Sequence, residues 1–413
     1  MSTAPQDILH GRRIALGVTG GIAAFKAAGL VTALRKRGAQ VRVIMTEAAT
    51  WFVTPTTFAS LSGSEVGLKL FGAPLGDELH HIHMQDFAEV LLIAPATADV
   101  IGKIAHGIAD DLLTTTVMAL DCPIILAPAM NVKMWRNPIL QRNVETLREL
   151  GYGFVMPEAG RLASGAEGEG RLAGEEFLIT AVERALQGAL PRYDLQGKMI
   201  VVSAGPTREP LDPVRFLSNR SSGRMGYALA AEAARRGAQV VLISGPTELA
   251  PPAGVDVRPV TTNAEMKQAV LAALPGAWAF ISAAAPADYR PAQVRDTKIK
   301  KGEPLALELE QTDDILLAVA AGSRSVNEQA RPQVLVGFAA ETGDAVAQAR
   351  PKLTRKNLDL LVVNDVAEAG SGFGSDTNRV TILRRDGSEN ALPLMGKYAV
   401  AAAILDELTP LIS

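Results

Sequence analysis

The sequence predicts an α/β protein made of two doubly wound domains in tandem, and three observations carry that prediction. The chain has 413 residues, too many for one ordinary core and suited to two of about 200 residues each. Two distant segments repeat one order of strand, glycine-bearing loop, helix and strand. Both helices finish on a basic stretch stopped by glycine, Arg35-Lys36-Arg37-Gly38 and Arg235-Arg236-Gly237. Cations suit a helix C-terminus and glycine suits the residue beyond it.

Taken in order, Arg13 to Val18 is a short apolar strand, Thr19-Gly20-Gly21 a turn, the stretch to Arg37 a helix, and Val41 to Met45 the next strand. Val90 to Ile93 and Ile124 to Leu126 are further apolar strands, and a helix is predicted to end near Leu190. The stretch Pro191 to Leu195 marks the boundary, giving domains 1–190 and 191–413. Met199 to Ser203 then opens the second unit, with a Gly/Pro/Ser loop, a helix from about Arg224 to Arg236 and a strand at Val240 to Ile243. Ala279 to Ile281, the run before Gly337, and Leu360 to Asp365 are its later strands. A strand–helix–strand unit makes parallel strands, which need helices on both faces. Ligands of such sheets bind beyond the carboxyl ends of the strands, where helix N-termini offer free N–H groups to anions.

Composition excludes several classes. Hydrophobic residues make up 48% of the chain and charged residues 21%, a soluble globular balance. The net charge of -3 gives no basic field for nucleic acid. No apolar run is long enough to span a bilayer, and the polar start, Met1 to Gly11, lacks the apolar core of a signal peptide. The single cysteine, Cys122 beside Pro123-Ile124-Ile125-Leu126, excludes an intrachain disulfide and multi-cysteine zinc, and reads as a buried structural thiol. A cytoplasmic location is expected. Gly17-x-x-Gly20-Gly21 is not GxGxxG, so a dinucleotide oxidoreductase is not supported.

In the first half, Thr19-Gly20-Gly21-Ile22, Met45-Thr46-Glu47-Ala48, Ala94-Pro95-Ala96-Thr97-Ala98-Asp99 and Pro128-Ala129-Met130-Asn131 fall at strand ends, and His80-His81-Ile82-His83 precedes a strand. The histidines lack the partners of a zinc site. They fit either a solvated loop or a base near a cofactor, since neutral imidazole takes a proton near pH 7. This set, with Met134, resembles the FMN-dependent phosphopantothenoylcysteine decarboxylases. The resemblance implies a Rossmann-like flavoprotein fold and FMN held around Gly20, Gly21, Ile22, Thr46, Ala96, Thr97 and Met130. It places His81 at the family's active-site histidine and Asn131 at its substrate-carboxylate asparagine. It also implies oxidation of the cysteinyl thiol to a thioaldehyde before CO2 leaves. The lid, Gly160 to Arg171, has Ser164 where the family has a proton-donating cysteine, and Asp110-Asp111-Leu112 stands where it has Asn-Asp-Leu.

In the second half, Ser203-Ala204-Gly205-Pro206-Thr207-Arg208-Glu209 begins a loop that three prolines stiffen. Ser218-Asn219-Arg220-Ser221-Ser222-Gly223-Arg224 gathers hydroxyls, an amide and arginines at a predicted helix start, more than a plain N-cap needs. Ala283-Ala284-Ala285-Pro286-Ala287-Asp288-Tyr289, Lys298-Ile299-Lys300-Lys301 and Gly337-Phe338-Ala339-Ala340-Glu341-Thr342 follow. Lys352 and Lys356 share a face if helical. Jointly these motifs resemble the phosphopantothenate–cysteine ligases, and the tandem order resembles the bacterial fused enzymes of coenzyme A biosynthesis. The resemblance implies CTP held by Ala283, Ala284, Ala285, Asp288, Lys298, Asp313, Asp314, Ile315, Leu316, Phe338, Lys352 and Lys356. Arg215 and Asn219 would serve the acyl intermediate and phosphopantothenate, with Asn219 and Lys298 as catalytic donors.

The expected substrates are phosphopantothenate, L-cysteine and CTP, with Mg2+ on the nucleotide and a homo-oligomeric assembly. No magnesium ligands are assigned from the sequence. A rival keeps the ligase but makes the first domain a flavin-holding module without net decarboxylation, on the strength of Ser164. A non-enzymatic nucleotide-binding module is a third reading, separated by turnover of CTP.

Overall fold

A computed structural model describes residues 7–70, 80–162, 165–300, 306–321, 331–341, 344–365 and 375–411, with the side chains of 80–83 and 365 outside that set. Contacts divide the chain into two compact units, Met1–Arg192 and Tyr193–Ser413.

The first unit runs β1 (Arg13–Val18), α1 (Ala24–Lys36), β2 (Gln40–Met45), α2 (Glu47–Thr50), α3 (Pro55–Ser62), α4 (His80–Phe87) and β3 (Val90–Ala96). It continues with α5 (Ala98–Ala105), α6 (Leu112–Ala119), β4 (Ile124–Pro128), α7 (Val132–Trp135), α8 (Pro138–Glu149) and β5 (Gly153–Phe154). A hairpin, β6 (Glu158–Arg161) and β7 (Glu167–Arg171), precedes α9 (Glu175–Leu186). The sheet order is β2-β1-β3-β4-β5, with every pairing parallel. All seven residues of β3 are buried, as a strand covered on both faces requires. Ile14, Leu16 and Leu92 pack with α1, α3 and α9 on one face. Ala15, Leu91 and Ile93 pack with α5, α6 and α8 on the other.

The second unit begins β8 (Met199–Ala204), β9 (Arg208–Pro210), β10 (Phe216–Ser218), α10 (Arg224–Arg235), β11 (Gln239–Ser244), β12 (Val255–Pro259), α11 (Asn263–Ala273) and β13 (Ala279–Ser282). Next come β14 (Tyr289–Pro291), β15 (Leu309–Gln311), α12 (Ile315–Ala321), β16 (Val334–Glu341), α13 (Ala345–Arg355) and β17 (Leu360–Asp365). It closes with β18 (Thr377–Asn378), β19 (Val380–Arg384), β20 (Glu389–Ala391), β21 (Met395–Gly396) and α14 (Lys397–Asp406). The main sheet has the order β12-β11-β8-β13-β16-β17-β19-β20, with six parallel strands and an antiparallel edge at β19 and β20. Helices α10 and α14 cover one face; α11, α12 and α13 cover the other.

The two glycine stops are where the sequence puts them. Gly38 and Gly237 take φ of 86° and 92°, a left-handed conformation that glycine adopts at no steric cost. Several expectations are corrected. The helix before the boundary ends at Leu186, not near Leu190. Ala94–Ala96 and Gly337–Glu341 continue their strands instead of following them. Of the two readings of His80–His83, the loop is set aside, because the stretch begins helix α4. The proline-rich loop after β8 contains β9, which pairs with β10, and β17 is not the last strand. No helix among the described residues is long and apolar enough to cross a membrane.

Candidate active sites

In each unit the strand order reverses at one point, between β1 and β3 and between β8 and β13. That reversal leaves a crevice beyond the strand ends where ligands bind.

In the first unit, Thr19 joins the two loops that flank the crevice. Its fully buried hydroxyl donates to the Pro95 carbonyl (2.7 Å) and accepts from the Thr97 N–H (3.0 Å). Gly20 lies hard against α2: a Cβ there would sit 2.4 Å from the Ala48 Cβ. Gly21 has only the Thr97 Cγ2 nearby, at 3.8 Å, and Ile22 is exposed. Thr46, at the end of β2, is 8% exposed. Its Oγ1 is buried with no hydrogen-bond partner, and it does not cap α2. Buried polar atoms are rarely left so; a ligand that hydrogen-bonds Thr46 would satisfy it. Ala96 is fully buried, so only its backbone can face a ligand, whereas Thr97 is half-buried at the start of α5.

The β6–β7 hairpin docks on the residues after β4. The Met130 N–H donates to the Gly170 carbonyl (2.9 Å), and a Cβ on Gly170 would meet the Met130 carbonyl oxygen at 2.2 Å. A Cβ on Gly168 would meet Val132 at 3.0 Å. Asn131 caps α7 by accepting the Lys133 N–H at Oδ1 (2.9 Å). That pins the amide and leaves Nδ2 to donate, with no acceptor among the described residues. His81 lies on α4, its side chain outside the described residues, and Ser164 of the lid is also outside them. Asp111 caps α6 in a reciprocal pairing with Thr114. Asp110 pairs with Lys103 (3.0 Å), a hydrogen bond that leads in raising the Lys103 pKa, so a carboxylate is accommodated there. Cys122 is half-buried and not fully buried as expected; desolvation still pushes its thiol up to about 11.

In the second unit, the loop after β13 is stitched to the loop after β8. The Ala283 N–H donates to the Ser203 carbonyl (3.1 Å), the Ala285 N–H to the Gly205 carbonyl (2.9 Å), and Pro206 bridges Ala285 in parallel. Buried Thr207 accepts the Ala287 N–H (2.9 Å), and Thr312 donates to the Ala287 carbonyl (2.6 Å). Asn219 Nδ2 donates to the carbonyls of Ala285 (3.2 Å) and Pro286 (2.8 Å). Its amide thus ties the start of the Asn219–Gly223 segment to the alanine loop.

Asp288 is exposed, and its carbonyl accepts the Thr312 N–H (3.0 Å), which sets it beside Asp313 and Asp314. Asp313 pairs with Lys267 (2.8 Å) and Asp314 with Lys356 (2.6 Å). Burial pushes the Asp314 carboxyl up, but bonds from Lys356 and the Leu317 N–H outweigh it and leave the pKa lowered. Ile315 and Leu316 begin α12 and bury their side chains in the core, so they offer a nucleotide only backbone. Lys352 pairs with Glu341, and Phe338 is half-buried on β16.

Lys298 is exposed, and its segment is held by Asp212. That carboxylate accepts the Ile299 N–H (3.0 Å) at Oδ2 and the Val214 and Arg215 N–H groups (both 2.8 Å) at Oδ1. The Arg215 guanidinium lies 3.4 Å from it. One buried carboxylate thus brings Lys298 and Arg215 to the same loop. Sequence reasoning missed Asp212, Thr312 and the brace at Thr207. Only the proline after Asp212 hints that it closes a turn.

Comparison with known proteins extends these observations. A family profile described as Flavoprotein matches residues 2–187, and one described as DNA/pantothenate metabolism flavoprotein C-terminal domain matches residues 195–411. The coenzyme A biosynthesis bifunctional protein CoaBC of Bacillus subtilis is 46% identical over 408 residues, 98% of each chain. That of Vibrio parahaemolyticus is 44% identical over 406 residues, 98% of this chain and 99% of the relative. The Mycobacterium tuberculosis protein is 45% identical over 406 residues, 96% of each. Matched along nearly its whole length by these relatives and in both halves by the two profiles, the chain belongs to the flavoprotein family of coenzyme A biosynthesis bifunctional proteins.

Proposed function

We propose that the chain carries out two linked steps of coenzyme A biosynthesis, CTP-dependent ligation of 4'-phosphopantothenate to L-cysteine in 191–413 and FMN-dependent decarboxylation of phosphopantothenoylcysteine to 4'-phosphopantetheine in 1–190. The observation that carries the reading is the convergence at β8 and β13: Asn219 on the Ala283–Ala285 loop, Asp288 beside the Asp313–Asp314 turn, and Lys298 tied through Asp212 to Arg215.

The ligation follows from carboxylate chemistry. An amine does not attack a free carboxylate at a useful rate. The carboxylate therefore attacks the α-phosphorus of CTP, pyrophosphate leaves, and the cysteine amine then displaces CMP from the acyl carbon. Both steps gather negative charge on oxygen, and fixed cations stabilise it. Lys298, Lys352 and Lys356 supply the cations, Asn219 holds the alanine loop in place, and the small side chains of Ala283–Ala285 let a flat base or ribose approach the backbone. Magnesium arrives on the nucleotide phosphates; such ions use one or two carboxylates plus phosphate oxygens rather than a protein cage. Among the described residues no group of three or more His, Cys, Asp or Glu side chains could hold a metal.

In the first unit, Thr46 with its unpaired hydroxyl, Gly20, Gly21, Ile22, Thr97, Met130 and the Ala96 backbone would hold FMN. A bound flavin supplies the two-electron oxidation of the cysteinyl thiol and the matching reduction after CO2 has left. The Nδ2 of Asn131 holds the substrate carboxylate beside the new thiocarbonyl, which takes up the electron pair of the breaking carbon–carbon bond. His81 moves a proton, and the hairpin on Met130 shields the reacting carbon from water. Exposed Phe25, Trp51 and Phe52 support a homo-oligomer, and a chain with one cysteine suits a reducing cytoplasm.

Incubation with phosphopantothenate, cysteine, CTP and magnesium, followed by mass spectrometry, tests both steps. CMP, pyrophosphate, CO2 and phosphopantetheine are expected. Absence of CTP-dependent CMP would overturn the ligase, and an enethiol that accumulates unreduced would overturn the complete decarboxylation.

A further inference from the structure

From Thr207 to Pro210 burial alternates, with Thr207 and Glu209 buried and Arg208 and Pro210 exposed. Residues two apart on a strand share a face, so Thr207 and Glu209 turn the same way, and both are polar. Thr207 accepts the Ala287 N–H (2.9 Å) and so holds the alanine loop. Glu209 is 3% exposed, and among the described residues no cation pairs with it. A buried carboxylate is rare unless paired, and here the start of a helix stands in the place of the cation.

Glu209 Oε1 accepts the N–H of Asn263 (2.8 Å), the first residue of α11, where a negative charge also suits the helix dipole. Beside it the Arg208 N–H donates to the Thr261 carbonyl (2.8 Å), so β9 fixes where α11 begins. Asn263 and Lys267 stand four residues apart, on one side of that helix, and both reach the turn that leads into α12. Asn263 Nδ2 donates to Thr312 Oγ1 (3.4 Å), and Lys267 Nζ to Asp313 Oδ2 (2.8 Å). Thr312 donates its hydroxyl to the Ala287 carbonyl (2.6 Å) and its N–H to the Asp288 carbonyl (3.0 Å). Its one hydroxyl proton goes to Ala287, so toward Asn263 it can only accept, which matches the amide.

We infer that Glu209 is a positioning residue of the ligation: through α11 it sets the Thr312–Asp313 turn, and with it Ala287 and Asp288, where the nucleotide is received. Thr207 holds Ala287 by its N–H. Glu209 holds it by its carbonyl, by way of Asn263 and Thr312. One strand thus grips both sides of one residue in the loop, and Glu209 acts through these neighbours rather than on the reacting atoms. The inference rests on the ligase reading, in which Asp288 and Asp313 receive CTP.

The test uses the full chain, with CTP, phosphopantothenate and cysteine varied in turn. Glu209→Leu removes the acceptor and leaves the Asn263 N–H buried and unpaired. KM for CTP is expected to rise about 5- to 50-fold, the range set by one buried unpaired group, while KM for phosphopantothenate and for cysteine stays within about threefold. Glu209→Gln keeps an oxygen toward Asn263 and should stay within about threefold of wild type for all three. A merely structural role would lower kcat and the yield of active enzyme and leave the KM values alone. Should Glu209→Leu fail to fold by circular dichroism, Thr312→Val, which removes the hydroxyl at the far end of the route, carries the same expectation. Three results overturn the inference: an unchanged KM for CTP in the folded variant, equal rises in KM for all three substrates, or the full rise in Glu209→Gln. Hydrogen exchange judges the route without turnover. The amide of residue 312, which donates to Asp288, should exchange at least about tenfold faster in the same variant, and an unchanged rate refutes the route. If wild type makes no CMP from CTP, the ligase reading falls, and the exchange rate still decides whether Glu209 governs the turn.

Discussion

A buried hydroxyl without a partner, as at Thr46, costs about 1–3 kcal/mol in a folded chain. Thr46→Val keeps the shape and removes the orphan. The flavin-free chain should therefore melt at the same temperature or higher, while flavin affinity, followed by fluorescence titration, falls several-fold. A Thr46→Val chain that loses stability and keeps its flavin affinity would contradict the cofactor site. Asn219 makes a different prediction, because both of its amide bonds go to the carbonyls of Ala285 and Pro286. Asn219→Asp replaces those donors with a carboxylate and should loosen the alanine loop, so that KM for CTP rises along with a fall in kcat. A fall in kcat alone would instead mark Asn219 as a direct donor.

At the scale of elements, glycines decide where hairpins and loops can dock. Gly170→Ala puts a Cβ 2.2 Å from the Met130 carbonyl oxygen at a φ of 153°, so the β6–β7 hairpin must lift away. CO2 release should drop at least tenfold while CMP formation from CTP is unchanged, since the two reactions belong to different units. The loop that carries Lys298 depends instead on a charge. The Ile299 N–H, followed by those of Val214 and Arg215 and by the Arg215 cation, holds the Asp212 carboxyl below its usual value, near 3.9 in an unfolded chain. The ionised form therefore strengthens the loop above about pH 4, and that contribution is lost as pH falls through the depressed native value. Asp212→Asn should show the same loosening at neutral pH, read as faster hydrogen exchange at the Ile299 amide.

For the whole molecule, Arg236 closes the second unit. It is 1% exposed and bonds Asp194, Asp406 and Thr409, tying the residues that enter the unit to its last helix. Removing one partner of a buried ion pair costs about 3–5 kcal/mol. Arg236→Met should lower the denaturation midpoint of the second unit and spare flavin retention by the first. The basic stretch before Gly237 was legible as a helix end, but the burial of this one arginine was not, because its partners lie 42 and 170 residues away along the chain.

Local order was what the sequence determined: apolar runs became strands, Gly38 and Gly237 ended helices, and the loops rich in glycine, alanine and hydroxyls fell at strand ends. These depend on neighbours within a few residues, and so they can be read in one dimension. Tertiary structure alone decided which of the named side chains are buried, paired or left without a partner. It turned the side chains of Ile315 and Leu316 inward, gave the donors of Asn219 to a neighbouring loop, and left Thr46 without a partner. Burial and charge pairing are settled between segments that meet only in the folded sheet, and no local pattern encodes that meeting.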